Sequence, residues 1–310
     1  MTDHDLTFTA DGRTFGATLT VPDGGGPCPG ALLIPGSGPI DRDENTKRAK
    51  LAVFSQLAAH LAARGVATLR YDKRGIGASE GDYWTCGFHD NAHDAAAALA
   101  ALRARPEVAG MPIVVVGHSE GALHAATLGA RDHAIDGVVL LAGPATSGEA
   151  VLLWQGRTIA ASLTGFRGWL IRALRIDIGK QQRKLFTKIR ASDKATMRVQ
   201  LVAKINARWM REFLDHDPSA DLSRLTVPTL AITGDADVQV PPDDLDRMRA
   251  LNPVHIETVR MPRLSHLLRL TDCRDIADYR RQFREPLAAP LLQALDAWFE
   301  RRRDTGAGSA

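Results

Sequence analysis

The run Gly117-His118-Ser119-Glu120-Gly121 directly follows the apolar stretch Ile113–Val116 and opens a helix-like segment, Glu120–Arg131. A serine with glycines two residues to either side, at a sharp strand-to-helix turn, has the setting of a nucleophile elbow. The turn crowds the backbone, so a Cβ at either glycine would collide, and the hydroxyl is lifted above the end of the strand. A serine hydroxyl is a poor nucleophile near neutral pH. It needs an imidazole to take its proton and a carboxylate to orient that imidazole. Downstream, the run Thr229–Thr233 (TLAIT) leads into Gly234-Asp235-Ala236-Asp237, at the end of a strand where ligands of open α/β sheets gather. Asp237 is selected as the acid; Asp235 is the alternative, but directly after Gly234 it also suits a turn through side-chain to backbone bonding. The next strand-like run, HIETVRM, leads into Pro262-Arg263-Leu264-Ser265-His266, which brings His266 to the same edge. His118 adjoins the serine but is expected to point away from its hydroxyl, and His255 begins a strand at the opposite edge. A carbonyl attacked by Ser119 becomes an oxyanion that needs preorganised N–H donors. The backbone N–H of Glu120 is one. The second is assigned to Ser37 in Gly36-Ser37-Gly38, with Gly36 and Gly38 as open alternatives.

These groups converge only if particular elements carry them. After two alternating N-terminal runs, β-branched segments (Ala31–Pro35, Val66–Tyr71, Ile113–Gly117, Gly137–Ala142, Thr229–Thr233 and His255–Met261) alternate with helical periodicity. The helical stretches are Lys47–Arg64, Asn91–Arg105, Glu120–Arg131, Pro242–Leu251 and Pro286–Arg303. Short apolar strands alternating with helices predict the α/β class, a mostly parallel central sheet flanked by helices. Residues 145–223 break the pattern with helical periodicity alone and read as an inserted cap, leaving 1–144 and 224–303 as the core and 304–310 as a disordered tail. Cap positions Leu152, Leu153, Trp154, Phe166, Trp169 and Leu170 are expected either to line an acyl pocket or to pack on the body. Residues 151–212 hold 14 Lys and Arg against 3 Asp and Glu, a net of +11, while the rest of the chain is at −8.

Composition sets the outer limits. A chain of 310 residues buries roughly three quarters of the surface of its unfolded form, so neither metal nor disulfide is needed. Cys28, Cys86 and Cys273 are odd in number, lack Cys-x-x-Cys spacing and read as free thiols. No long apolar run indicates a membrane span, and the first 25 residues lack a secretory pattern, so a cytoplasmic protein is expected. The basic cap carries no nucleic-acid-binding motif. It reads as a solvated face first, then as an attractor of anionic substrates, and last as a contact for acidic lipid headgroups.

Together the elbow, Pro35-Gly36-Ser37-Gly38-Pro39, the stretch Tyr71–Ser79 (YDKRGIGAS) and Gly234–Asp237 resemble the α/β-hydrolase superfamily. PGSGPIDRDEN is similar to the oxyanion loop of bacterial carboxylesterases. The resemblance implies an α/β-hydrolase fold with a cap over the site, and cleavage of a small or medium carboxylic ester, without a cofactor or metal. It also implies that Asp72 and Arg74 brace loops, and it leaves open whether Asp41, Arg42 and Asp43 meet substrate or cap. Thioesterase, lactonase and amidase or peptidase activities use the same three residues, and a noncatalytic binding protein could keep the fold. The expected partner is a small-molecule ester, anionic in one reading. A homo-oligomer is compatible with the sequence, but stable membrane insertion and nucleic-acid binding are not expected.

Overall fold

The structure is a computed structural model that describes residues 1–162, 177–199 and 203–306. Its described strands are β1 (Thr2–Ala10), β2 (Arg13–Val21), β3 (Gly30–Ile34), β4 (Ala67–Tyr71), β5 (Ile113–His118), β6 (Gly137–Leu141), β7 (Thr196–Val199), β8 (Ala203–Asn206), β9 (Thr229–Gly234) and β10 (Ile256–Met261). Eight of them form one sheet in the order β1-β2-β4-β3-β5-β6-β9-β10. Only β2 runs against its neighbours; β4, β3, β5, β6, β9 and β10 are mutually parallel.

The central strands are apolar on both faces because both are covered. Along β5, Val115 faces a core shared with α2 (Phe88–Arg103) and α3 (Glu120–Arg131). Val114 and Val116 face the other core, built on α1 (Val53–Ala62) and the C-terminal helix Ala289–Gly306. The parallel register sends the carboxyl ends of β3, β5, β9 and β10 to one edge of the sheet. There the loops after β3, β5, β9 and β10 carry Ser37, Ser119, Asp237 and His266 respectively.

Between β6 and β9 lie α4 (Gly148–Ser162), α5 (Ile178–Arg190), the β7–β8 hairpin, α6 (Ala207–Asp215) and α7 (Ser219–Arg224). The hairpin departs from the all-helical reading of this interval. Its strands are four residues each, too short for alternation to show among the surrounding lysines and arginines. Phe166, Trp169 and Leu170 lie outside the described residues. Two boundaries also move. The helix expected from Lys47 begins at Val53, because residues 41–52 are taken up by a loop in which Asn45 Oδ1 accepts the Ala52 N–H at 2.9 Å and Ala52 turns left-handed (φ 50°). The tail expected to be disordered from residue 304 instead continues the last helix to Gly306, since nothing before that glycine opposes helix, and residues 307–310 lie outside the described set.

The elbow is among the tightest points of the fold. A Cβ on Gly117 would sit 2.1 Å from the Gly121 carbonyl oxygen, and one on Gly121 would sit 2.0 Å from the carbonyl oxygen of Ile34, at the end of β3. Both obstacles are backbone and cannot rotate away. Gly121→Ala is therefore expected to cost at least about 3 kcal/mol, the upper range for overpacking, read as a loss of folded protein or a large fall in the urea midpoint. A wild-type midpoint for this variant would contradict the packing.

Candidate active site

Ser119 caps α3 with φ 55° and ψ −117°, a region that side-chain-bearing residues seldom occupy. Its N–H donates to the Leu141 carbonyl at 2.8 Å, and its carbonyl accepts from the Ala122 N–H at 3.0 Å, so the turn is held from both sides. His266 comes from a tight loop in which Ser265 N–H donates to Arg269 O at 2.9 Å and Thr271 N–H to Arg263 O at 2.8 Å. The Ala236 N–H donates to Leu264 O at 3.1 Å and ties this loop to the one bearing Asp237.

The side chains meet. His266 Nδ1 lies 2.9 Å from Asp237 Oδ2, and His266 Nε2 lies 3.0 Å from Ser119 Oγ. Asp237 is fully buried, and its other oxygen accepts the N–H groups of Gln239 (2.7 Å) and Val240 (2.9 Å). A carboxylate only accepts, so the imidazole proton sits on Nδ1 and leaves Nε2 bare to accept the Ser119 hydroxyl. Asp235, the alternative acid, points outward and pairs with Arg260 at 2.5 Å, its side chain about half exposed. Next to Ser119, a Cβ on Gly36 would lie 3.3 Å from the Ser119 Cβ, which puts the Gly36–Gly38 loop against the nucleophile. Neither the Ser37 nor the Glu120 N–H has a partner among the described residues, and Ser37, Glu120 and Ser119 line one small cavity.

Around these groups stand buried charges that the sequence did not single out for the site. His118 points away from Oγ, as expected, and its Nδ1 lies 2.8 Å from Glu44 Oε2 while Nε2 lies 2.9 Å from the carbonyl oxygen of His266. Both neighbours accept, so both ring nitrogens donate and His118 is an imidazolium. Burial alone would lower its pKa, but the Glu44 carboxylate outweighs it and holds the ring above 6.5. Burial likewise works against the Glu44 charge, but the attraction of His118 and the Gly36 N–H, at 2.8 Å, keep its carboxyl below 4.5. Glu120 is also buried, yet Lys73, His124 and Trp209 hold its carboxyl down at about 2. Arg269, almost fully buried, donates to the Leu267 carbonyl at 2.5 Å and to that of Leu51. Burial pulls its pKa down to about 10. Glu44 and Lys73 lie within PGSGPIDRDEN and YDKRGIGAS, but neither pattern shows that their side chains reach this site, and no local motif marks Arg269. Arg42 pairs with Asp72 at 2.7 Å and Asp43 with Arg70 at 2.7 Å, so that loop braces the body. Arg74 pairs with Asp94 at 2.5 Å, in the bracing role the resemblance implied.

Ser119 separates two cavities. One of ≈ 50 Å³ is walled by Leu123, Pro144, Val151, Leu152, Trp209 and Phe213, and one of ≈ 170 Å³ by Ile40, Thr46, Leu51, His266 and Leu267. Trp209 is placed by Asn206, which caps α6 through the Trp209 N–H (2.9 Å) and docks it on the body through the carbonyls of Tyr83 (2.8 Å) and Cys86 (2.6 Å). Gln155 on α4 reaches Gln239 at 3.2 Å, and Gln239 reaches the Tyr279 hydroxyl at 3.1 Å, so α4 meets the loop after β9 at the cavity that Ser119 lines.

Comparison with known proteins places this arrangement. Residues 49–270 match the family described as serine aminopeptidase, S33. Esterase EstD of Thermotoga maritima is 31% identical over 226 residues, 73% of this chain and 50% of that protein, so the chain spans about half the length of this curated relative. Est1E from Butyrivibrio proteoclasticus superimposes with a TM-score of 0.63 at 16% identity, covering 97% of this chain and 99% of that one. The Pyrococcus furiosus esterase Pf2001 does so at 0.60 and 16%, covering 97% and 90%. At such identities these two likenesses concern the fold, and the architecture is that of an α/β-hydrolase.

The Glu44–His118 pair yields a stability prediction. The Glu44 contribution is complete above pH 4.5 and is lost as pH falls through its depressed value; the His118 contribution is complete below pH 6.5 and is lost as pH rises through its elevated value. Between about pH 4.5 and 6.5, Glu44→Gln should destabilise by about 3 kcal/mol, as expected for a buried charge losing its partner. Urea titrations at pH 6 and pH 9 should show the smaller penalty at the higher pH. A penalty independent of pH would mean that His118 is not charged.

Proposed function

Because the chain belongs to the serine aminopeptidase S33 family of α/β-hydrolases, we propose that it is a serine hydrolase that cleaves carboxylic esters of small acyl groups. The convergence of Ser119, His266 and Asp237 carries this reading. Ser119 attacks the ester carbonyl as His266 Nε2 takes its proton, and Asp237 holds the resulting imidazolium. The Ser37 and Glu120 amides receive the oxyanion. His266 then passes the proton to the departing alcohol, and water, activated by the same imidazole, releases the acid from the acyl-enzyme. The leaving group must lie on the His266 side, which is the larger cavity, and the acyl group in the smaller one under Trp209. The described residues of 145–223 that line the smaller cavity, Val151, Leu152, Gln155, Trp209 and Phe213, thereby act as a roof that sets acyl length.

A second reading within the family is aminopeptide hydrolysis. That chemistry calls for an acidic group to hold the substrate ammonium. Among the described residues lining the two cavities the only carboxylates are Glu44 and Glu120. Glu44 is taken up by His118 and Gly36, and Glu120 by Lys73, Asn91, His124 and Trp209. This commitment favours esters. The basic surface of the inserted segment supports attraction of anionic esters, and the three unpaired thiols suit a reducing compartment such as the cytoplasm.

With p-nitrophenyl butyrate as substrate, Ser119→Ala and His266→Ala should each lower kcat by about 10⁶-fold, by analogy with a protease triad acting as a unit. Asp237→Asn should cost less, about 10⁴-fold, and Asp235→Asn should stay near wild type. A fluorophosphonate should label Ser119; a folded chain that resists it would point to a binding protein instead. Trp209→Ala should raise the octanoate-to-acetate ratio of kcat/KM about tenfold, the worth of one or two newly buried methylenes. An unchanged ratio would move the acyl group out of the smaller cavity.

A further inference from the structure

Lys73, in the loop after β4, is a buried lysine only 5% exposed, and its ammonium has two partners. Nζ donates to the carbonyl oxygen of Gly36 at 3.0 Å and lies 3.3 Å from Glu120 Oε2. The first contact acts on the peptide unit that joins Gly36 to Ser37. The described peptide bonds are trans, so the carbonyl of Gly36 and the N–H of Ser37 point in opposite directions from the same rigid plane. Holding the oxygen on Lys73 therefore aims the Ser37 N–H the other way. Ser37 lines both cavities beside Ser119. The preceding N–H is fixed as well, since Gly36 donates to Glu44 Oε1 at 2.8 Å. A peptide plane gripped at its oxygen and at the amide before it has little freedom left.

The second contact reaches the other proposed donor. Glu120 supplies the N–H at the start of α3, and its carboxylate is fixed by Lys73, Asn91 Nδ2 (2.7 Å), His124 Nε2 (3.1 Å) and Trp209 Nε1 (3.1 Å). One ammonium thus touches the carbonyl of the peptide whose N–H is the proposed Ser37 donor and the side chain of Glu120, the residue of the other proposed donor. We propose that Lys73 is a positioning residue of the oxyanion hole, which orients the Ser37 N–H by binding the Gly36 carbonyl and polarises that peptide toward stronger donation. A cation at the oxygen end draws electron density along the amide, the same cooperativity by which hydrogen-bonded chains strengthen one another. Lys73 does not touch substrate. The inference rests on the ester-hydrolysis reading.

A simpler role for Lys73 would be to neutralise buried Glu120, and the variants are chosen to separate the two. Lys73→Met should lower kcat roughly 10²-fold, near the loss of one oxyanion donor, with KM changed by less than about threefold. Affinity for a trifluoromethyl ketone, which forms an oxyanion on Ser119, should fall by the same factor. Lys73→Met leaves Glu120 unpaired, so the double variant Lys73→Met/Glu120→Gln is measured beside it and should regain thermal stability while remaining slow. Recovery of wild-type kcat in the double variant would reduce Lys73 to a counter-ion and overturn the proposal. So would an unaltered trifluoromethyl ketone affinity in either variant, and if the single variant does not fold, the double variant decides. These outcomes are distinct from failure of the ester reading, which would appear as turnover surviving Ser119→Ala.

Discussion

A serine at φ 55° exists here because two glycines let three pieces of backbone meet where side chains would forbid it. The end of β3 presses on Gly121, Gly121 presses on Gly117, and the turn between them has no room to relax. The strain of that turn, of order 1–3 kcal/mol, is held by the hydrogen bond from Ser119 N–H to Leu141 and by the burial of β5 in both cores and of α3 in one of them. The same contact brings Ile34, and with it the Gly36–Gly38 loop, to the start of α3. The proposed nucleophile and the proposed oxyanion loop are therefore not two features independently placed. They are two ends of one steric contact, and a change that opened the elbow would move both.

The second constraint is the placement of His266. Its loop has no regular secondary structure to fix it, and the backbone is instead tied to its neighbours through Ala236, His118 and Arg269. Two of those ties are buried cations that donate to carbonyl oxygens. A cation forms stronger hydrogen bonds to a carbonyl than a neutral donor does, at the expense of desolvation that a partner must offset. His118 has Glu44 for that purpose. Among the described residues Arg269 has no carboxylate in direct contact and feels Glu44 only at a distance, which is why burial draws its pKa down.

The side chains that meet at the candidate site could be read from the chain because each lies in a short pattern tied to a strand end: the elbow after β5, Asp237 after β9 and His266 after β10. The sheet follows from alternation of apolar residues along strands covered on both sides. What escaped the reading has a common cause. Glu44 and Lys73 meet partners distant from them in sequence, as Arg269 does at Leu51, and a charged residue in a polar stretch looks the same whether it ends in solvent or in a core. Lys73 sits in the middle of YDKRGIGAS, between Asp72 and Arg74 that do brace loops, and nothing in that pattern separates its task from theirs. The short β7–β8 hairpin and the late start of α1 escaped for a different reason: four-residue strands and side-chain-bonded loops carry too few residues for a period to emerge.

Charge balance links the proposed chemistry to the fold. Asp237, Glu44 and Glu120 bring three negative charges to the site, and Lys73, His118 and Arg269 bring three positive ones, all on side chains that are nearly or wholly buried. With His266 neutral and Ser119 protonated, the resting site has no net charge. Attack on an ester moves one proton from Ser119 to His266 and creates one oxyanion, so a positive and a negative charge appear together and the total stays at zero. The low-dielectric surroundings that make an isolated buried charge so costly then strengthen the pairing of these new charges with Asp237 on one side and with the oriented amides on the other. Reaction changes the distribution of charge and not its amount, and a site assembled from rigid, already paired groups can accept that change without reorganising.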